Sequence, residues 1–446
     1  MREWQKRELI DCIKSLEQAH KEIKETLSSH NYNLAQNMIS ECQEFAITLG
    51  NTIENLNAKD HITVSYVEEY CEVAYEIFQI LGNTQVNENK IYKILRKQLL
   101  KVENSINNDI NIKREVVFLP YKASMWDSLE SVWMAAEADK NCDAYVIPVP
   151  YYNKNPDGSF REMHYEGGQY PDYVPIVKYD NYDFALHKPD AIYIHNPYDQ
   201  YNYVTSIHPF FFSENLKKFT QNLIYIPYFI LDENISGEER KHFCTVPGVL
   251  NADKVIVQSD RIKQMYIKAL IDIANTHDKT TEKYLNDKIL GLGSPKIDKV
   301  LNTKKEDLII PKKWREIIEK PDGGSKKIIF YNTGIAALLQ HNEKMLYKIK
   351  CVFNIFREKK DEIVLLWRPH PLIKATVESM RPQLWQEYTQ IVNQYKEEGW
   401  GIYDDSADLD RAIILSDAYY GDESSVIQLY EQIGKMVMIQ NVNIIV

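Results

Sequence analysis

The chain has 446 residues, 44% of them hydrophobic and 26% charged, with a formal net charge of −11. That length accommodates two or three domains with real cores, and the acidic balance excludes the broad basic field that holds nucleic acid. The six cysteines are scattered without a C-x-x-C pair, which gives neither a disulfide framework nor a zinc site and suits reduced thiols.

The N-terminal stretch "MREWQKRELIDCIKSLEQ" is charged from its second residue, unlike a signal peptide. No apolar run approaches the ~20 residues that span a bilayer. The expectation is a cytoplasmic protein with, at most, peripheral contact at the inner face of the membrane. Leu9, Ile13, Leu16, Ile23 and Leu27 recur at helical steps, and "VEEYCEVAYEIFQIL" (67–81) repeats the pattern. Breaks are expected at 28–33, 57–61 and 82–89. Residues 1–112 therefore read as a bundle of three or four antiparallel helices, a candidate for self-association or docking.

From Arg114 the pattern changes to short β-branched runs: 115–120, 143–150, 190–197, 222–230 and 253–259. Helical segments such as "WDSLESVWMAAEADK" (126–140) lie between them. Strands alternating with helices predict a parallel sheet covered on both faces. A second series follows at 326–332, 361–367, 399–405, 417–422 and 435–440, with one helix expected over 335–360. The fold class is α/β, with two Rossmann-like domains facing a cleft (113–290 and 291–446) behind the helical bundle. A hinge is expected over 290–325. The last strand is expected just before Val446, and no closing helix is expected after it within these residues.

In open α/β sheets ligands bind beyond the carboxyl ends of the strands. "EIVLLWRPHPLI" (362–373) ends a strand on Arg368 and His370. Arg368 can make forked bonds to phosphate oxygens, and the prolines flanking His370 stiffen its loop. In "SDAYYGDESSVIQLYEQIG" (416–434), Ser424 and Ser425 fall where a helix N-terminus favours an anion, with Asp422 orienting a hydroxyl or holding the turn. In "FYNTGIAALL" (330–339), Thr333 and Gly334 sit between strand and helix, which again suits a phosphate. No cluster with metal-ligand spacing is visible.

The motifs "GSPKID" (293–298), "RPHP" (368–371) and "DESS" (422–425), in that order, resemble those of the CDP-glycerol glycerophosphotransferases of teichoic-acid synthesis. That family typically shows G-x-P-R-x-D, R-P-H-P and D-x-S-S. The likeness covers roughly 290–440 and, more loosely, the chain from 114. It implies a GT-B architecture and transfer of a polyol phosphate from a CDP-activated donor to a polymeric or lipid-linked hydroxyl acceptor, without a cofactor. It carries Arg368, His370, Asp422, Ser424 and Ser425 to the donor's diphosphate.

Two positions depart from the pattern. Lys296 stands where arginine is usual. The family's H-G-x-P-x-K segment, whose histidine is proposed to activate the acceptor, has "YIPYFILDE" (225–233) as its counterpart, with neither histidine nor glycine. Candidate bases are then His195 and His208, with Asp232 and Glu233 as fallbacks. Lys122, Ser124 and Asp127 form a candidate acceptor-side wall. Two other readings stay open: a GT-B glycosyltransferase using a nucleotide sugar, and a nucleotide-binding or assembly protein of the same fold without chemistry.

Overall fold

The computed structural model describes residues 1–56, 61–81, 87–233, 237–275, 278–406, 408–440 and 442. Two compact units divide the chain, one of residues 1–115 with 140–143, the other of 116–139 with 144–446. The helical unit holds α1 (Glu3–Ser28), α2 (Tyr32–Leu56), α3 (Ile62–Leu81) and α4 (Glu88–Asn108). In α1, Leu9, Ile13, Leu16, His20, Ile23 and Leu27 are buried; the alternating four- and three-residue steps keep one stripe turned inward. α1 packs on α2 and α4, and α3 packs on the same two, so the four helices close around one core. The breaks expected at 57–61 and 82–89 lie mostly outside the described residues. Among the described residues no helix is long and apolar enough to cross a membrane.

The α/β unit contains both halves anticipated as separate domains. The first half is built on strands β1 (Arg114–Leu119), β2 (Cys142–Val146), β5 (Ala191–Ile194), β7 (Leu223–Tyr225), β8 (Lys254–Val257) and β9 (Ile289–Gly291). Their order across the sheet is β2-β1-β5-β7-β8-β9. Neighbours from β1 to β9 pair in parallel. The order reverses between β1 and β5, which makes their carboxyl ends a switch point. A small antiparallel sheet of β3 (Tyr151–Lys154), β4 (Phe160–His164) and β6 (Thr205–Ile207) is added to this half. It was not anticipated.

The second half carries β10 (Lys327–Thr333), β11 (Ile363–Pro369), β12 (Ile402–Tyr403), β13 (Ala418–Gly421) and β14 (Met436–Ile439). They are ordered β12-β11-β10-β13-β14 and are all parallel. Counted within this half, that is the third, second, first, fourth and fifth strand, the Rossmann arrangement, with its switch point at the ends of β10 and β13. β11 is buried from Val364 to Pro369, as a central strand covered on both faces must be. The helix expected over 335–360 is two helices, Ile335–His341 and Glu343–Arg357. They meet at Asn342, whose φ is 47°. The expected hinge contains β9 and two helices, Pro295–Asn302 and Lys312–Ile318.

Candidate active site

Two adjoining cavities, of about 580 and 110 Å³, lie where the two sheets turn their carboxyl edges inward. Ser124 and the loop Arg368–Pro371 line both. The larger is also walled by Lys122, Glu166, Gln169, Lys374, Asp404, Asp405, Asp408 and Arg411. Its volume falls in the ordinary range of small-molecule sites, about 300–1,000 Å³. The smaller is mostly apolar, with Phe229, Ile230, Phe330 and Leu429 beside Lys296, Asn332, Ser424 and Ser425.

The Arg368–Pro371 stretch begins in the last two residues of β11 and turns out of the sheet at His370. Arg368 is nearly inaccessible. Its Nη1 lies 2.5 Å from Asp404 Oδ2 and its Nη2 donates to the Ser406 carbonyl at 2.8 Å. Two of its five N–H donors are thus committed within the fold, and its charge is matched by a buried carboxylate. His370 is partly buried at the seam of the two cavities. Its Nδ1 accepts the Leu372 N–H at 3.1 Å, so in the neutral ring the proton sits on Nε2. Burial, reinforced by the Lys122 charge, holds its pKa down to about 4. At neutral pH His370 is therefore an uncharged donor and not a cation. No described residue bonds to Nε2.

The other anticipated anion contacts are largely occupied by the fold itself. Asp422 Oδ2 accepts the Gly334 N–H at 2.7 Å, and its Oδ1 lies 2.5 Å from Lys348 Nζ, which is fully buried. Asp422 thus holds the turn between β10 and β13. Thr333 is buried, with its hydroxyl accepting from Trp367 Nε1 at 3.1 Å and its carbonyl accepting the His370 N–H. Thr333 is inaccessible, the Gly334 N–H is taken by Asp422, and neither residue lines the cavities. Ser424 Oγ accepts the Val426 N–H at 3.3 Å and its carbonyl accepts the Ile427 N–H. The helix that begins there, Val426–Gln432, has only seven residues. The expected anion site at that terminus reduces to the two serine hydroxyls in the smaller cavity.

The first-half candidates divide the same way. Lys122 and Ser124 reach the cavity, but Asp127 forms a buried pair with Lys296 at 2.5 Å. His195, expected as a base, is fully buried. Its Nε2 accepts the Tyr121 N–H at 2.6 Å and its Nδ1 lies 2.7 Å from Ser128 Oγ. Burial and the Lys296 charge hold it down to about 3. With both nitrogens engaged and no wall to reach, it is a structural imidazole. His208 caps a short turn by accepting the Phe210 N–H at 3.2 Å and lines neither cavity. Glu233 accepts from Ser259 at 2.8 Å, and neither it nor Asp232 lines the cavities.

Sequence reasoning missed a cluster opposite the Arg368–Pro371 loop. Glu166 accepts from Tyr151 OH at 2.6 Å, from the Ala123 N–H at 2.9 Å and from Lys122 Nζ at 3.5 Å. Lys122 also donates to Tyr151 OH at 2.9 Å, and burial lowers its pKa, against the pull of Glu166. The 404–411 segment was missed too: Arg411 pairs with Asp408 at 2.9 Å. Four basic and four acidic side chains line the larger cavity, so an anion there is held by aimed donors more than by a net field. Among the described residues no group of three or more His, Cys, Asp or Glu is gathered as for a metal ion.

No family model and no curated protein matches the chain. It is similar in form to several solved structures at low identity. One is a variant of the wall teichoic acid polymerase TagF, with 17% identity over 79% of each chain and a TM-score of 0.41. Another is Staphylococcus aureus MnaA with UDP, with 11% identity over 73% of this chain and 78% of that one, TM-score 0.45. A third is the Methanocaldococcus jannaschii UDP-GlcNAc 2-epimerase with UDP-GlcNAc and UDP, with 10% identity over 74% and 90%, TM-score 0.44. At such values no residue role passes from those proteins to this one.

Proposed function

We propose that the protein transfers a polyol phosphate, glycerol phosphate in the first instance, from a CDP-activated donor to a hydroxylated polymer or lipid-linked precursor. The observation that carries this reading is the meeting of two cavities at the Arg368–Pro371 loop, at the carboxyl edge of a Rossmann-ordered sheet. The motif likeness of residues 293–298, 368–371 and 422–425 supports it. His370 Nε2–H and the serine hydroxyls are the aimed donors for the diphosphate. As the leaving nucleotide gains charge, a fixed donor of that kind favours the transition state over the ground state.

A nucleotide-binding protein without chemistry is the second reading. The stretch 225–233 favours it, because it brings Tyr228, Phe229 and Ile230 to the cavity and no histidine or carboxylate. A panel of CDP-glycerol, CDP-ribitol and UDP-sugars separates the readings, since a ligand of the native state raises its melting temperature by mass action. The transferase reading expects the largest shift with a CDP-polyol, together with CMP release when an acceptor is added. A shift with CDP-polyols but no CMP release selects the binding protein, and a shift with UDP-sugars alone, with UDP released when an acceptor is added, selects glycosyl transfer.

A further inference from the structure

A hydroxyl that attacks a phosphorylated donor must pass its proton to a nearby group. We infer that Glu166 takes this proton, an assignment that rests on the transferase reading above. Glu166 is the one carboxylate, among the described residues, that the first half contributes to the larger cavity. Its side chain is 14% exposed, enough to meet a ligand. A carboxylate has about four lone-pair sites. The Ala123 N–H, Tyr151 OH and Lys122 Nζ fill three, fixing the group's plane and leaving a site for an acceptor hydroxyl.

The cavity's other carboxylates, Asp404, Asp405 and Asp408, stand in the second half beside the Arg368–Pro371 loop. Each has a basic partner, Arg368, Lys396 and Arg411 respectively, as Glu166 has in Lys122, so it is their side of the cavity that sets them apart. In an in-line displacement the attacking oxygen arrives opposite the leaving oxygen. The proton acceptor therefore belongs on the wall contributed by the half that does not hold the leaving group. Glu166 is on that wall.

The acceptor oxygen bonds to the phosphorus of the transferred polyol phosphate while the bond from that phosphorus to the bridging oxygen breaks. The bridging electron pair leaves with the nucleoside monophosphate. The hydroxyl proton moves to the Glu166 carboxylate and then to solvent.

The test uses the full chain with CDP-glycerol as donor and glycerol as the hydroxyl probe, following CMP release and, separately, CDP binding. Glu166→Gln is expected to lower kcat by about 10²–10⁴-fold and leave CDP affinity within about threefold. Glu166→Ala should be equally slow and partly restored by sodium formate, which supplies a carboxylate to the vacated space; a merely structural glutamate gives no such recovery. Should the neutral variants fail to fold, Glu166→Asp keeps the charge one methylene short and is expected to lose about 10²-fold in kcat with CDP binding retained. Near-wild-type turnover in Glu166→Gln or Glu166→Asp, or CDP-binding Glu166→Ala without formate recovery, overturns the role of Glu166 alone. Wild-type protein that releases no CMP overturns the transferase reading and this assignment together.

Discussion

Arg368 and His370 are two residues apart and differ in what holds them. Arg368 is half of a buried ion pair with Asp404, so removing it strands a carboxylate in a water-poor site at a cost of about 3–5 kcal/mol. The His370 side chain gives the fold one bond, accepting the Leu372 N–H. Arg368→Ala is therefore expected to lower both the melting temperature and donor affinity. His370→Ala should leave the melting temperature nearly unchanged and reduce turnover by about 10²–10³-fold. Calorimetry beside CMP release checks both, and a His370→Ala protein that melts early but turns over normally would make the loop a turn and nothing more. The R-P-H-P stretch was legible because an apolar run ending in polar residues marks a strand's carboxyl end. The partner of Arg368 was not, since Asp404 comes from another strand end 36 residues on. His195 misled for a related reason: its position after β5 was right, but the Tyr121 N–H and Ser128 that absorb its nitrogens arrive from a separate strand and turn.

Among the elements, the central parallel strands were readable as apolar runs because both their faces are covered, whereas the edge strand β14 is apolar but largely exposed. The small antiparallel sheet was missed because β4 is largely exposed and its sequence has no apolar alternation. The signal available was the turn "NPDGS" (155–159), whose Gly158 has a φ of 84° and whose Asp157 side chain accepts the Ser159 N–H at 2.9 Å. That hairpin leads straight into Glu166, so missing the turn meant missing the cluster. The most constrained junction is the end of β13 against β10. Gly421 has a φ of 143°, and a Cβ added there would stand 2.2 Å from the Asn332 carbonyl oxygen. Both the backbone conformation and the space require glycine. Gly421→Ala should cost roughly 2–3 kcal/mol by forcing the two strands apart, and should weaken CDP-glycerol binding because the Asp422–Gly334 bond lies at the same junction. Chemical denaturation and a binding titration on that variant read the two effects; unchanged stability would mean the strands part without cost.

For the whole molecule, pH acts through histidines held neutral in both compact units. Burial and the Arg96 charge hold His20 down to about 4, while His370 lies at about 4 and His195 at about 3. All three lie below the unfolded value of 6.5. As pH falls below 6.5 the unfolded chain takes up protons that the folded chain refuses, so the stability these groups allow is complete above that value and is lost toward pH 4. Between pH 7 and pH 5 each removes about 2 kcal/mol. Asp199 works in the opposite direction: burial raises it from 3.8 to about 6, so its contribution is present at low pH and is lost as pH rises through 6. Burial raises Asp410 as well; the two carboxyls oppose the three imidazoles only in part, and the protein is expected to be less stable at pH 5 than at pH 7. His20 allows the cause to be isolated within the helical unit. Its Nε2 pairs with Tyr70 OH at 2.8 Å, and its Nδ1 has no partner among the described residues. Replacing both members together, His20→Leu with Tyr70→Phe, leaves only the weakly bonding Cys42 thiol without its Tyr70 partner and should cost little at pH 7. Denaturant titrations at the two pH values should then show an acid loss about 2 kcal/mol smaller than in the wild type. An equal loss in the double variant would mean that His20 is protonated in the folded bundle and that the acid sensitivity arises elsewhere.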